Sequence, residues 1–570
     1  MTYLIRKRSW LALLTALAAV AALFAYGVPE ADAARGEAGQ NYPTPQWGPC
    51  YQTVAADFAE QGVGVEYECT QVNVPLDWSK PTGSTIQLAL VRVPASDVDN
   101  YRGSLFLNPG GPGGSGVDFA LGFGPFAQFV WGPVANQFDI VGFDPRGIGR
   151  STPLRCFGNL NQAVQVFAPF PFPMTQDEID LFVPGDQLLI DQCDKRGNKV
   201  LEHMSTANVA RDMDHLRNLL GNEKMNYVGI SYGTFLGQTY ANMFPDNVGA
   251  FVIDAVLDPI AWSNLGADVP FSVSLRSDAG AQDTLDEFLR QCEAAGPGNC
   301  ALAPNASDRL DAILETLRSG PILIQDPETG ETFPYFYSFA VLDLLIGLYN
   351  PGGYAEVAAF AAFIEAQASP AALGLQLMKM QDAVGLVNKR GFPNYPNFVE
   401  GFPGVACEDT FNPDIGHQGW FDAGKDATAE FGIFGEAWTW ASEPCILWEF
   451  ADADNYTGPY DSATANPVLV IGNFYDPATR YEGAQTARGL LPNSALLSVD
   501  EPGHASLGIS GCAGFLTGLY LEDPAIAGQI DGFVCPSEGN WFDKVAGPGG
   551  GSGMAFDFRT DLMDQMAFRP

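Results

Sequence analysis

Three residue types stand in this sequence in the order that one kind of acyl transfer requires. Ser231 lies in Asn226-Tyr-Val-Gly-Ile-Ser-Tyr-Gly-Thr-Phe-Leu236, a short apolar run that enters G-x-S-x-G and then a helical pattern. A nucleophilic serine must project from a sharp, strained strand-to-helix turn, and flanking glycines let other backbone approach it. Gly229 and Gly233 occupy those places. Asp476 follows the apolar run Pro467-Val-Leu-Val-Ile471, and a carboxylate just past the C-terminal end of a strand can orient an imidazole. His504 lies in a glycine-containing loop after Ala495-Leu-Leu-Ser-Val499, the last strand that the pattern predicts, and completes the order Ser, Asp, His. His203, His215 and His417 match no such place, and Asp254 and Asp258 are the rivals for the acid.

A second signal lies upstream. The apolar run Gly103-Ser-Leu-Phe-Leu107 ends in Asn108-Pro-Gly-Gly-Pro-Gly-Gly-Ser-Gly116. This is neither G-x-x-x-x-G-K-[ST] nor G-x-G-x-x-G, so neither nucleotide-binding fingerprint applies. The remaining reading is an oxyanion loop, whose exposed backbone N–H groups face the charge that develops on a carbonyl oxygen.

The elements that must position these groups alternate. Residues 65–74 and Thr85-Ile-Gln-Leu-Ala-Leu-Val-Arg-Val93 read as an antiparallel hairpin turned at Pro81-Thr-Gly83, at a sheet edge. Gln137-Phe-Asp-Ile-Val-Gly-Phe-Asp144-Pro-Arg-Gly-Ile-Gly-Arg-Ser151 is a strand and a turn, with Asp144 and Arg146 read as structural. Val209, Met213, Leu216, Leu219 and Leu220 repeat at helical spacing up to Gly221, and Val248-Gly-Ala-Phe-Val-Ile-Asp254 is another strand. Strand, helix, strand, helix predicts an α/β class with a mainly parallel, doubly wound sheet. Residues 152–200 are Pro-rich and give no clear pattern. Between 260 and 465 the periodic segments are helical, so this stretch reads as a cap inserted between core halves 34–259 and 466–536. Glycine-rich residues 547–553 mark a flexible tail over 537–570.

Composition narrows the function. A net charge of −38, from 67 acidic and 29 basic residues, repels nucleic acid and anionic membranes. Arg6, Lys7 and Arg8, the apolar run from Trp10 to Phe24 and Ala31-Asp-Ala33 predict a signal peptide over 1–33, and hence a secreted or periplasmic product with no membrane anchor. The run is shorter than the ~20 residues of a spanning helix. Ten cysteines in an exported chain read as disulfides. Pairing between sequence neighbours would join Cys50 to Cys69, Cys156 to Cys193, Cys292 to Cys300, Cys407 to Cys445 and Cys512 to Cys535, although the sequence alone does not fix connectivity. No C-x-x-C or zinc-like histidine spacing occurs, so neither a metal nor a cofactor is expected.

The motifs at 108–116, 143–151, 229–234 and 472–479, with Gly503-His504, resemble the secreted tripeptidyl aminopeptidases of actinomycetes and their relatives in the prolyl aminopeptidase family, over about residues 65–535. Pro109 stands where prolyl aminopeptidases carry histidine, which favours the tripeptidyl branch. The resemblance implies an α/β-hydrolase fold, Ser231 as nucleophile, Asp476 as acid, His504 as base, and oxyanion donors at the N–H groups of Gly111 and Tyr232. It also implies peptide substrates. Val405-Ala-Cys-Glu-Asp409 resembles a C-x-D motif of the same group, which makes Glu408 and Asp409 candidates for holding a substrate's amino terminus. The alternative for that pair is an ordinary solvated acidic patch. An esterase with the same triad is the competing activity, and an exported binding protein is disfavoured by the intact triad.

Overall fold

The computed structural model describes residues 43–325, 332–367 and 397–544. The expected signal peptide, the glycine-rich stretch 547–553 and residues 368–396 of the expected cap lie outside the described residues.

The strands are β1 (Gly48–Pro49), β2 (Glu68–Pro75), β3 (Thr85–Val93), β4 (Ser104–Asn108), β5 (Asp139–Phe143), β6 (Met225–Ile230), β7 (Val248–Asp254), β8 (Ile322–Gln325), β9 (Thr332–Tyr335), β10 (Val468–Tyr475), β11 (Ser494–Pro502) and β12 (Phe533–Cys535). The helices used below are α1 (Gly116–Phe123), α2 (Gln176–Arg196), α3 (Thr206–Leu219), α4 (Tyr232–Met243), α5 (Ser277–Ala295), α6 (Tyr337–Leu348), α7 (Phe398–Asp409) and α8 (Gly511–Glu522). Ten strands form one sheet in the order β1-β2-β3-β5-β4-β6-β7-β10-β11-β12. The pairings from β1 to β5 through β2 and β3 are antiparallel, and all those from β5 to β12 are parallel.

Because side chains alternate along a strand, each central strand supplies two layers. Phe106 and Tyr227 pack with α3 and α4 on one face, while Leu105, Leu107, Val228 and Ile230 pack with α1 and α8 on the other. This is the mainly parallel, doubly wound sheet that the sequence predicts. Parallel strands bring their C-terminal ends to one edge, so the turns after β4, β6, β7, β10 and β11 meet there.

Several expectations change. The unassigned stretch 152–200 contains α2, which opens on a capping box of Thr175 and Glu178 and sends Ile179 and Phe182 into the cap's core. The expected helical cap also contains an antiparallel hairpin, β8 with β9. Its parts divide: α5 and α6 build a separate apolar core, whereas Val399, Val405 and Ala406 of α7, with Trp448 and Tyr460, join the core beside the sheet. The strand β11 is not the last, since β12 pairs with it; a three-residue strand is too short to show a period. Part of the stretch expected as a tail is packed on the molecule, since Trp541 donates to Glu501 and Phe542 packs between Phe288 and Tyr354.

Disulfides join Cys50 to Cys69, Cys156 to Cys193, Cys292 to Cys300, Cys407 to Cys445 and Cys512 to Cys535, with no free cysteine among the described residues. The loop after β5 is held by a buried ion pair. Arg146 Nε and Nη2 donate to the two oxygens of Asp212 at 2.7 and 2.6 Å, and its remaining N–H groups reach the carbonyls of Pro75, Leu76 and His203. Removing one partner of such a pair strands the other charge in the interior. Arg146→Met is therefore expected to lower unfolding free energy by about 3–5 kcal/mol, read from chemical denaturation. A loss within 1 kcal/mol would contradict this account.

Candidate active site

Ser231 joins β6 to α4 at φ 58° and ψ −128°, a conformation that costs a non-glycine residue energy and that the surroundings must enforce. They do so by close approach. A Cβ at Gly233 would lie 2.8 Å from the Asn108 carbonyl, and one at Gly229 would run into the Gly233 carbonyl. The loop after β4 presses on the same turn. Gly110, at φ 98°, has room for no side chain, since a Cβ there would sit 2.8 Å from the Tyr232 nitrogen and 2.9 Å from Ser231 Cβ. Asn108 Oδ1 accepts the Gly110 N–H at 2.9 Å and fixes the start of the loop. Asp144 fixes its end, accepting from Ser115 Oγ and from the backbone N–H groups of Val117 and Arg150. Gly111 follows Gly110 in this loop. Tyr232 is the first residue of α4, where helical N–H groups have no intrahelical acceptor. The two expected oxyanion donors thus belong to segments in direct contact.

His504 and Asp476 lie beyond β11 and β10, and Nδ1 is 2.9 and 3.0 Å from the two carboxylate oxygens. An ionised carboxylate only accepts, so Nδ1 carries the proton and Nε2 has its lone pair free. Asp476 also accepts from the N–H groups of Ala478, Thr479 and Ala505 and from Thr479 Oγ1, which fixes its plane. Nε2 is buried without a hydrogen bond, and none joins it to Ser231. Such contacts often tighten only when substrate is bound.

The rivals for the acid have other partners. Asp254 accepts from Ser506 N at 3.0 Å and Ser506 Oγ at 2.7 Å, while its carbonyl accepts the Ser231 N–H at 3.1 Å. It ties the serine turn to the histidine loop without touching the imidazole through a hydrogen bond. Burial raises its carboxyl to about 6. Asp258 caps the short helix Pro259–Ser263. The sequence signal gave no hint of the Ser506 contact, nor of Thr479, whose Oγ1 is also 3.4 Å from His504 Nδ1.

Glu408 and Asp409, at the end of α7, are buried rather than solvated. Asp409 accepts the Thr206 N–H at 2.8 Å and Thr206 Oγ1 at 2.5 Å, and Thr206 Oγ1 in turn meets the Tyr232 hydroxyl. Glu408 Oε2 accepts the Met204 N–H at 2.9 Å, whereas its Oε1 is buried with no partner. Asp409 therefore serves the first residue of α3 with both oxygens engaged, and Glu408 the residue that precedes the helix cap. Burial, reinforced by the charge of Asp452, raises Asp409 to about 7 and pushes Glu408 well up.

Ser231→Ala is expected to abolish labelling by a fluorophosphonate while leaving the melting temperature close to that of the parent. Asp476→Asn should reduce turnover by orders of magnitude through the wrong imidazole tautomer. If Asp254→Asn is the more damaging of the two, the acid has been misassigned. The raised carboxyl of Asp409 gives a further test. The folded state holds the proton more tightly, so its stabilisation is complete at acidic pH and is lost as pH rises from about 4 towards 7. Asp409→Asn should flatten the fall of melting temperature over that window, and an unchanged slope would contradict it.

The family model for the alpha/beta hydrolase fold matches residues 103–288, and that described as TAP-like protein matches residues 429–535. A tripeptidyl aminopeptidase of Streptomyces coelicolor is 30% identical over 82% of this chain and 80% of its own. Carboxylesterase B of Mycobacterium tuberculosis is 30% identical over 82% of this chain and 85% of its own. Serine protease Hip1 of the same species is 32% identical over 50% of this chain and 53% of its own. At this identity and coverage, the chain belongs to the tripeptidyl aminopeptidase-like family of α/β hydrolases.

Proposed function

We propose that this chain is an exported serine exopeptidase that releases short peptides, chiefly tripeptides, from the free N-termini of peptides. The observation that carries this reading is the Asp476–His504 pair, 2.9 Å apart, with Nε2 unpaired and its loop tied through Asp254 to the strained turn of Ser231. The relatives named tripeptidyl aminopeptidase and serine protease support the peptide as substrate. Five disulfides fit an oxidising compartment, and no helix among the described residues is long and apolar enough to cross a membrane.

In this reading His504 Nε2 takes the proton of Ser231 Oγ as the oxygen attacks the peptide carbonyl. Asp476 keeps the proton on Nδ1 and balances the imidazolium. The N–H groups of Gly111 and Tyr232 receive the oxyanion, a contact worth on the order of 10²–10³ in rate per donor. The C–N bond then breaks as Nε2 returns the proton to the leaving amine. Water, deprotonated by the same nitrogen, releases the acyl group and regenerates Ser231.

A free amino end has to be met by a carboxylate, because an unpaired buried charge is costly. Of the two candidates, Glu408 is better suited. Its Oε1 has no partner, and its neighbours Asp409, Asp452 and Glu202 are also acidic. Asp409 is already occupied by Thr206. A second reading, as a carboxylesterase, is favoured by the relative bearing that name.

Chromogenic tripeptides with free and acetylated amino ends, assayed beside short-chain esters, separate the two. The unmodified protein is expected to cleave the free tripeptide best. Equal rates on free and acetylated peptides would overturn the exopeptidase reading. Glu408→Gln should lower kcat/KM on free peptides by about 10-fold or more, corresponding to roughly 1.5–3 kcal/mol for a hydrogen bond to a charged group, with little change on a neutral ester. Equal losses on both substrates would mean that Glu408 serves only the fold.

A further inference from the structure

We propose that Tyr349, at the end of α6 in the inserted region, is a positioning residue for the histidine base, so that the insertion completes the catalytic site. The inference rests on the reading of His504 as the base that activates Ser231.

The Tyr349 and His504 rings meet edge to face, with centroids 4.8 Å apart and planes at 69°. The backbone is joined as well, since the His504 N–H donates to the Tyr349 carbonyl at 2.9 Å. Two residues on, Pro351 backs the same loop: a Cβ at Gly503 would come within 2.7 Å of Pro351 Cδ and 3.0 Å of the Tyr349 carbonyl. Tyr349 itself is buried, and its phenol is raised well above the ordinary value by burial and then by the charge of Asp476. Its ring therefore lies directly against the imidazole.

The other restraints on this loop come from the sheet. Asp476 holds Nδ1, Asp254 holds Ser506, and Asn473 Nδ2 donates to the carbonyls of Gly503 and Ala505. These bonds fix the backbone and one ring atom. An imidazole held at Nδ1 alone can still swing about that contact, and a small swing removes Nε2 from the serine oxygen. The Tyr349 ring limits this movement. It also excludes water from the carboxylate and imidazole, where the ion pair that forms during acyl transfer is worth more in a dry setting.

The roles of ring, hydroxyl and backbone are separable. Tyr349→Phe keeps the ring, Tyr349→Leu keeps apolar bulk without a ring, and Tyr349→Ala removes both, while all three keep the carbonyl that binds His504. Inactivation by a small fluorophosphonate reports on the Ser231–His504 pair without a peptide substrate. The expected result is a maximal inactivation rate reduced at least 10-fold in Tyr349→Ala and Tyr349→Leu, with inactivator half-saturation within about 2-fold of the parent, and rescue to within about 2-fold in Tyr349→Phe. Melting temperature is measured for each, and Tyr349→Leu decides the question if Tyr349→Ala does not fold. A parental inactivation rate in folded Tyr349→Leu would overturn the inference. So would a loss confined to half-saturation, which would make Tyr349 only a wall of the binding pocket. Parent protein that takes no label would overturn the serine-nucleophile reading itself, and this inference with it.

Discussion

Asp254 holds two parts of the site at once. Its carbonyl accepts the N–H of Ser231, and its carboxylate accepts the N–H and hydroxyl of Ser506, two residues beyond His504. One residue at the end of β7, in the middle of a parallel sheet, thus ties the Ser231 turn to the His504 loop. Ser231 can persist at positive φ because this bond and the close approach of Asn108, Gly110 and Gly233 leave the turn few alternatives. The sheet order follows the same logic. Strands β4, β6, β7, β10 and β11 are adjacent, so their C-terminal turns form one continuous edge.

Buried carboxylates are the recurring device around that edge. Asp144 secures the end of the glycine loop, Asp476 the imidazole, Glu400 the N–H of Cys156, and Glu408, Asp452 and Asp409 the N–H groups of Met204, Ser205 and Thr206 where the chain enters α3. Most of these accept backbone N–H groups instead of pairing with a cation. A helix start or a tight turn presents N–H groups with no internal acceptor, and a carboxylate satisfies two or three of them. These few of the chain's 67 acidic residues therefore have a structural use around that edge. Among them, Asp144, Glu408 and Asp409 hold their protons more tightly in the folded state because they are buried.

The insertion is bound to the core in two distinct ways. Through α7 it reaches the Ser231 side, where Asp409 meets Thr206 and Thr206 meets the Tyr232 hydroxyl. Through Tyr349 it reaches His504. Its own apolar core, shared with α2, includes Tyr349 itself. The inserted region is thereby anchored beside both Ser231 and His504.

The sequence by itself determined what depends on local pattern. The G-x-S-x-G turn, the glycine loop at 108–116, and the acid and histidine past the ends of strands were legible because each needs particular residue types within a few positions. Apolar periods marked β4 to β7, β10 and β11 for the same reason. Tertiary structure decided what depends on distance between remote segments. Only the fold brings Asp254 to Ser506, Tyr349 to His504 and Asp409 to Thr206, pairs separated by between about 150 and 250 residues. It also decided that Asp409 is a buried helix partner, since a carboxylate reads the same in a sequence whether water or backbone N–H groups surround it. Short elements such as β12 needed the fold too, because three residues carry no period and form a strand only where an edge is waiting.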